Sequence, residues 1–295
     1  MKRAVLIVNP FATRVTEQAI SDVERALMRV AYVRTVYTEG PRHAVELARE
    51  AGDADALIVF SGDGGFNEAL NGIERNDLPL GFVPGGGTSV LPRALGLPRH
   101  AVKAAEQLAD ALETNRVRRI STGRVNDRRF AFGAGIGIDA EVVRRIDERG
   151  RSAEGSRPGD LAFVSTFARL LVEHRGRLEP MLEVEGFGRA AFLFVANVNV
   201  YSFLKAMAIK ATPEAVFEEG LDFLAPVSVR PRTLPPLLYA LATGRPARNA
   251  LRGHDLDRIA VKTDRPLPLQ VDGEDLGNVT EAVFEAERES ISVLS

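Results

Sequence analysis

Three short stretches hold residue types whose spacing could do chemistry. The first is Ser61-Gly62-Asp63-Gly64-Gly65. It follows the apolar run Ala56 to Phe60 and precedes Phe66, Ala69, Leu70 and Ile73, which recur at helical spacing. A strand, a glycine loop and a helix start make an anion site. Glycine lets the backbone approach a ligand, and the first helical N–H groups have no partner inside the helix. Asp63 does not suit a plain phosphate cradle. It puts a carboxylate where phosphate oxygens would sit, which points to a metal-bound phosphate or to a proton taken beside one. The second stretch, Pro84-Gly85-Gly86-Gly87-Thr88, also follows an apolar run and precedes a helix start. Two such loops on neighbouring strands favour a phosphate-rich ligand more than either does alone. Neither is a P-loop, which needs a Lys-Ser/Thr pair after its last glycine, and neither is a full Gly-x-Gly-x-x-Gly fingerprint. The third stretch is Asp272-Gly273-Glu274. Asp-Gly is a favoured hairpin dipeptide, so taken alone these residues read first as a turn.

The elements that must position these stretches fall into two textures. Residues 1–116 alternate strand and helix. Strand Ala4–Val8 leads into Asn9-Pro10-Phe11-Ala12-Thr13-Arg14 and a helix with Ile20, Val23, Ala26 and Leu27 on one face. Strand Tyr32–Thr38, helix Pro41–Glu50, the strand and helix around Asp63, strand Leu80–Val83 and helix His100–Thr114 follow. Pro92 is compatible with a first helical turn. Repeated βα units predict a mostly parallel sheet covered on both faces, with ligands at the carboxyl ends of the strands. Loops 9–14, 61–66 and 84–89 can therefore converge on one edge. Beyond residue 117 the runs Val117–Asn126, Arg128–Gly133, Leu182–Glu185, Ala190–Val198, Leu221–Val229, Asp257–Thr263 and Leu267–Val271 read as strands. Ala140–Glu148, Leu161–His174 and Leu234–Thr243 read as helices. The tail Glu281–Leu294 is β-like and can close the second domain or edge the first. The expectation is an α/β chain. A three-layer α/β domain with a mostly parallel sheet spans 1–117, and 282–295 could complete it. An antiparallel β-sandwich-like domain spans 118–281.

Composition narrows the function classes. The 295 residues are 45% hydrophobic and 26% charged, an ordinary globular composition. A net charge of −2 argues against nucleic-acid binding driven by charge alone. There is no cysteine, hence no disulfide, thiol nucleophile or thiolate metal site, and none of the four histidines has a partner at metal-ligand spacing. Met1-Lys2-Arg3 precedes apolar residues, but the run is short and meets Asn9-Pro10, so it reads as a strand rather than a leader. No apolar run is long enough to span a bilayer, and a cytoplasmic location is the expectation.

Ser61-Gly62-Asp63-Gly64-Gly65-Phe66-Asn67-Glu68-Ala69-Leu70-Asn71-Gly72 resembles the Gly-Gly-Asp-Gly-Thr-x-Asn-Glu-x-x-Asn-Gly signature of the diacylglycerol kinase catalytic domain family. That family includes bacterial lipid kinases and sphingosine kinases. NAD kinases and phosphofructokinases share the shorter Gly-Gly-Asp-Gly-Thr core. Asn9-Pro10 resembles the family's Asn-Pro after its first strand, and Pro84 to Pro98 its second glycine loop. Gly133-Ala134-Gly135-Ile136-Gly137-Ile138-Asp139-Ala140 and Val271-Asp272-Gly273-Glu274 resemble its downstream motifs. The downstream pair, with a β-rich second domain, favours lipid kinase over NAD kinase.

The resemblance implies an enzyme that uses ATP and Mg2+ to phosphorylate a lipid alcohol in a cleft between domains. Glu274 matches the family's base, with Asp63 a second candidate, as base or through Mg2+. The nucleotide site would comprise Asn9, Thr38, Ser61, Gly62, Asp63, Gly64, Gly65, Phe66, Asn67, Gly86, Gly87 and Thr88. A structural Mg2+ of bacterial members would fall at Val216, Glu219 and Leu221, with Glu219 in place of an Asp; a solvated acidic turn is the plainer reading. Departures from the pattern lie at Gly65 and Gly87, where the family has Thr, at Ser89-Val90, where it has Asn-Asp, and at Ser121, near an Asp position. The apolar segment Leu234–Ala242 is followed by Arg245, Arg248 and Arg252. Arg144, Arg145, Arg149, Arg151 and Arg157 form another basic stretch. Either could give transient contact with an anionic bilayer, and a packed helix with a solvated face is the plainer alternative. A homodimer is compatible with the sequence. The alternatives kept open are a kinase of a soluble acceptor such as NAD, and a nucleotide or lipid sensor without phosphoryl transfer.

Overall fold

The structure is a computed structural model that describes residues 1–150, 160–204, 207–245, 247 and 249–295. The basic residues Arg151, Arg157 and Arg248, and the side chain of Arg149, lie outside the described residues. The chain divides into two compact units, Met1–Ile120 with Glu289–Ser295, and Ser121–Arg288.

The first unit holds β1 (Lys2–Val8), α1 (Glu17–Met28), β2 (Ala31–Tyr37), α2 (His43–Arg49), β3 (Ala56–Ser61), α3 (Asp63–Gly72), β4 (Leu80–Pro84), α4 (Val90–Ala94) and α5 (Ala101–Glu113). Its strands pair in parallel in the order β2-β1-β3-β4. Every residue of β3 and β4 is buried, as expected of parallel strands covered on both faces. The Thr16 hydroxyl caps α1 by accepting from the Ala19 N–H at 3.2 Å, and the helix buries Val23, Ala26 and Leu27. Phe66 of α3 meets Phe82 of β4 edge to face, centroids 5.3 Å apart. Each such buried ring contributes about 1.5–3 kcal/mol through apolar burial. The strand order reverses between β1 and β3, which opens a crevice at their carboxyl ends.

The chain enters the second unit within β5 (Val117–Val125). There follow β6 (Arg128–Phe130), β7 (Gly133–Ile136), α6 (Ile138–Gly150), α7 (Asp160–Glu173), β8 (Leu182–Val184), β9 (Gly188–Ala190) and β10 (Leu193–Ala196). Next come β11 (Ser202–Leu204), β12 (Met207–Ile209), β13 (Leu221–Pro226), α8 (Leu234–Thr243), β14 (Ala250–Leu256), β15 (Arg258–Val271) and β16 (Glu274–Leu294). The strands β14-β13-β10-β7-β15-β16 form an antiparallel run. One apolar cluster includes Phe130, Val195, Phe223, Val261 and Phe284. Another joins α6, α7 and α8 to Phe192 and Leu224 through Ile146, Leu170 and Leu237. The last residues of β16 return to the first unit, where Val293 pairs in parallel with Leu80.

Several strand boundaries differ from expectation for identifiable reasons. Arg128–Gly133 is not one strand. The N–H groups of Ala131, Phe132 and Gly133 all donate to the Asp272 carboxylate, which breaks the run into β6 and β7. Ala190–Val198 likewise divides into β9 and β10. Asp257–Thr263 and Leu267–Val271 join as β15, with a register shift between Lys262 and Leu267, where Pro266 cannot donate to the ladder.

Candidate functional site: two glycine loops and an Asp-Gly-Glu turn

In the first unit the three loops meet at the carboxyl edge of β1, β3 and β4. The Gly85 N–H donates to the Ser61 carbonyl at 2.7 Å, and the Arg14 N–H donates to the Gly85 carbonyl at 2.9 Å. Gly62 and Gly86 pass backbone to backbone. A Cβ at Gly86 would lie 2.9 Å from the Gly62 Cα, so position 86 requires glycine. Gly62 is extended and α3 starts at the next residue, leaving its first N–H groups without partners inside the helix.

Asp63 ties the two loops together. Its Oδ2 accepts from the Val90 N–H at 3.0 Å and its Oδ1 from the Leu91 N–H at 3.2 Å. The carboxylate thus caps α4, whose own N-cap residue, Ser89, is left-handed and supplies no side-chain bond. The acid that looked out of place in a phosphate loop has a backbone partner. Glu68 does the same for α2, accepting from the N–H groups of Arg42 at 2.9 Å and Ala44 at 3.3 Å.

The expected nucleotide residues divide by exposure. Asn9, Gly62, Asp63, Gly64, Gly65, Gly86, Gly87 and Thr88 are open to solvent at least in part. Thr38, Ser61, Phe66 and Asn67 are buried, between 0% and 6% exposed, and their side chains support the loops rather than face outward. Phe66 packs on Phe82, and the Asn67 Oδ1 accepts from the Asn71 side-chain amide at 3.1 Å. Asn9 lies between: its Oδ1 accepts from the Phe11 N–H at 3.0 Å, and its Nδ2 donates to the Ser61 Oγ at 3.2 Å. The absence of a side chain at Gly65 follows from Ser61. A Cβ at 65 would lie 2.2 Å from the Ser61 Oγ and 2.8 Å from its Cβ. Gly87 has no such constraint, since a Cβ there meets nothing within 4 Å. Ser121 is fully buried, so its hydroxyl is not presented at a surface.

In the second unit Asp272 and Gly273 both have positive φ, 47° and 80°, and Val271 pairs with Glu274. This is a two-residue hairpin turn of the kind Asp-Gly favours. Asp272 is buried and holds the backbone of residues 131–133 with both oxygens. Glu274 stands beside the turn, its Oε2 accepting from Arg128 Nη2 at 2.6 Å. Asp275 pairs with Arg144, at 2.9 and 3.0 Å. Behind the turn, Gln270 Oε1 accepts from the Gly273 N–H at 3.0 Å, and Gln270 Nε2 donates to Asp139 Oδ2 at 2.7 Å. The Tyr201 hydroxyl donates to the other Asp139 oxygen. Burial pushes the Asp139 carboxyl up to about 6, against the two hydrogen bonds that hold it down. Sequence reasoning missed Arg128, Tyr201 and Gln270. The available signal was Gly135: a Cβ there would lie 2.1 Å from Asp139 Oδ2, so the glycine makes room for that carboxylate.

The acidic turn at Val216, Glu219 and Leu221 does not fit the structural Mg2+ that the resemblance implied. Glu219 Oε2 has no hydrogen-bond partner, and the group facing it is His254 Nε2 at 3.7 Å. His254 Nδ1 bonds the Asp222 carboxylate at 2.9 Å, and that bond raises the imidazole above its usual value. Asp255 accepts from the Gly220 N–H at 2.8 Å and pairs with Arg288 at 2.8 Å. Among the described residues no group of three or more His, Asp or Glu side chains is arranged to hold an ion. At the glycine loops, too, the donor set suits Mg2+ carried in on nucleotide phosphates rather than a resident ion in a protein cage.

Comparison with known proteins bears on the family resemblance and on the fold. Residues 3–125 match the diacylglycerol kinase catalytic domain family. A diacylglycerol kinase of Bacillus subtilis strain 168 is 26% identical over 294 residues, covering 93% of this chain and 90% of its own. A crystal structure of a diacylglycerol kinase from Bacillus anthracis strain Sterne aligns with a TM-score of 0.73 at 17% identity, covering 99% of this chain and 96% of that one. At that identity the likeness bears on the fold, a mixed α/β fold with a parallel N-terminal part and antiparallel strands after it. No helix among the described residues is long and apolar enough to cross a membrane. Residues 3–125 are thus similar to the diacylglycerol kinase catalytic domain, and the chain is similar along nearly its whole length to a bacterial diacylglycerol kinase.

Proposed function

We propose that the protein is an ATP-dependent lipid kinase that phosphorylates the hydroxyl of a diacylglycerol-like or related lipid alcohol. The observation that carries this reading is the pair of glycine loops locked together through Asp63 and through the Gly62–Gly86 contact. Backbone N–H groups at the start of α3 and along Gly86-Gly87 would hold the nucleotide phosphates, since no side chain at 65 or 87 does so. Mg2+ bound to those phosphates would neutralise charge that develops during transfer. The acceptor hydroxyl oxygen attacks the γ-phosphorus, the bond to the β–γ bridging oxygen breaks, and ADP leaves. The hydroxyl proton passes to Glu274, which Arg128 holds in one orientation. Asp63 acts first by fixing the loops.

The acceptor resides in a bilayer, and α8 supports a transient surface contact. Leu237 is buried while Leu238 and Tyr239 are exposed at 46% and 54%, and the Arg245 guanidinium stacks over the Tyr239 ring at 5.8 Å. An apolar and aromatic tip beside an arginine suits an anionic membrane surface. Arg252 belongs elsewhere, because its Nε is buried.

The test is a screen for transfer of labelled phosphate from ATP to diacylglycerol, a sphingoid base, an isoprenoid alcohol and NAD. The reading expects a lipid product that is lost in Glu274→Ala. Transfer to NAD alone, or ATP binding with no transfer to any acceptor, contradicts it.

A further inference from the structure

Asp139 is a buried ionisable group that the mechanism above does not use. Asp139 stands at the start of α6 and is enclosed, 6% exposed. Its hydrogen-bond partners are a phenol and a carboxamide, neither of them a cation. β7 faces it with Gly135, β15 with Gln270 and the segment before β11 with Tyr201. Arg144 on α6 directs its guanidinium to Asp275, with Glu141 beside it at 3.9 Å. A buried carboxylate without a counter-cation is expensive to keep.

We infer that Asp139 is a positioning residue for Glu274, acting through Gln270 on the Asp272-Gly273 turn. An ionised carboxylate only accepts, so it selects the amide nitrogen of Gln270 as its neighbour. The Gln270 side chain then has one orientation, with Oε1 turned to the Gly273 N–H. That bond fixes the second residue of a turn whose next residue is Glu274. Without it the Gly273 N–H loses this side-chain acceptor, and glycine offers the backbone many other conformations. Tyr201 closes the far side of the carboxylate and keeps its second oxygen satisfied.

The inference rests on the lipid-kinase reading only where it invokes the reaction. The experiment therefore pairs a kinetic readout with one that needs no substrate. Gly273 amide exchange, the pH titration of its NMR shift, ATP affinity and kcat are measured on the full chain for wild type, Asp139→Asn and Gln270→Met. The carboxamide introduced by Asp139→Asn can still present an oxygen to Gln270 and its NH2 to Tyr201, so this variant is expected to keep Gly273 protected. Wild type is expected to show the Gly273 shift titrating through the Asp139 ionisation, and the same variant should abolish that titration. Gln270→Met is expected to speed Gly273 exchange by about tenfold or more. Its kcat should fall by a similar factor, with ATP affinity unchanged. Unchanged exchange in Gln270→Met overturns the relay. Faster exchange with wild-type kcat overturns its role in positioning Glu274. If wild type phosphorylates no lipid, the functional reading fails, and the relay is decided by exchange and titration alone.

Discussion

Gly65→Ala should change sign according to what stands at position 61. In the native chain the new methyl would lie 2.2 Å from the Ser61 Oγ and 2.8 Å from its Cβ, far inside the ~3.5–4.0 Å at which carbon atoms attract. Rotating the hydroxyl away relieves the first contact and not the second. It also gives up the bond from Asn9 Nδ2. Overpacking of this kind costs about 1–3 kcal/mol, against about 1 kcal/mol gained by replacing glycine with alanine in a helix. The net expectation is about 1 kcal/mol of destabilisation. With Ser61→Gly in place both obstructing atoms are gone, and the next atom met is Asn9 Nδ2 at 4.0 Å. There Gly65→Ala should stabilise by up to about 1 kcal/mol. The coupling energy of the cycle is then about 2 kcal/mol, read by urea denaturation of wild type, both singles and the double. If Gly65→Ala has the same effect in both backgrounds, within about 0.5 kcal/mol, the two positions are not competing for one volume and the reasoning fails.

Other expectations follow from the same geometry. Asp63→Ala should destabilise by about 3 kcal/mol in urea denaturation, because the buried Val90 and Leu91 N–H groups lose a charged acceptor; a change under about 0.5 kcal/mol refutes the capping role. Asp139 has a folded pKa of about 6 against an ordinary 3.8. Its contribution to stability is therefore present at low pH and is lost as pH rises through 6, by about 3 kcal/mol in all. Unfolding free energies should show wild type falling relative to Asp139→Asn by that amount between pH 3 and pH 7; parallel curves contradict it. Leu238→Glu should weaken binding to vesicles containing anionic lipid while leaving the melting temperature unchanged, since the side chain is 46% exposed. Equal binding removes α8 from the surface contact.

The βα half was legible because β1, β3 and β4 are largely apolar runs ending at Asn-Pro or a glycine loop, and that punctuation marks their carboxyl ends. The second unit was harder. β14 reads Ala-Leu-Arg-Gly-His-Asp-Leu, too polar for a strand template, yet it pairs along β13. At the site, residue types were readable and partners were not. Asp63 finds its N–H donors 27 and 28 positions away, and Arg128 meets Glu274 across 146. Spacing along the chain carries no trace of such pairs. Ser61, Phe66 and Asn67 sit within the motif yet point inward, because a strand that enters a helix at a tight turn alternates buried and open positions. Glu219 was a cation-ligand candidate only through the resemblance, with a solvated acidic turn the plainer reading, and only the fold brings His254 to face it.

The most direct test of the central claim is the single-turnover rate of phosphate transfer from labelled ATP to a lipid alcohol in mixed micelles, for wild type and Glu274→Gln, with ATP affinity measured alongside. The account predicts transfer by wild type and a rate lower by about 10²–10⁴ in the variant at unchanged ATP affinity. Transfer by Glu274→Gln at the wild-type rate, or no transfer by a wild type that binds ATP, would contradict it.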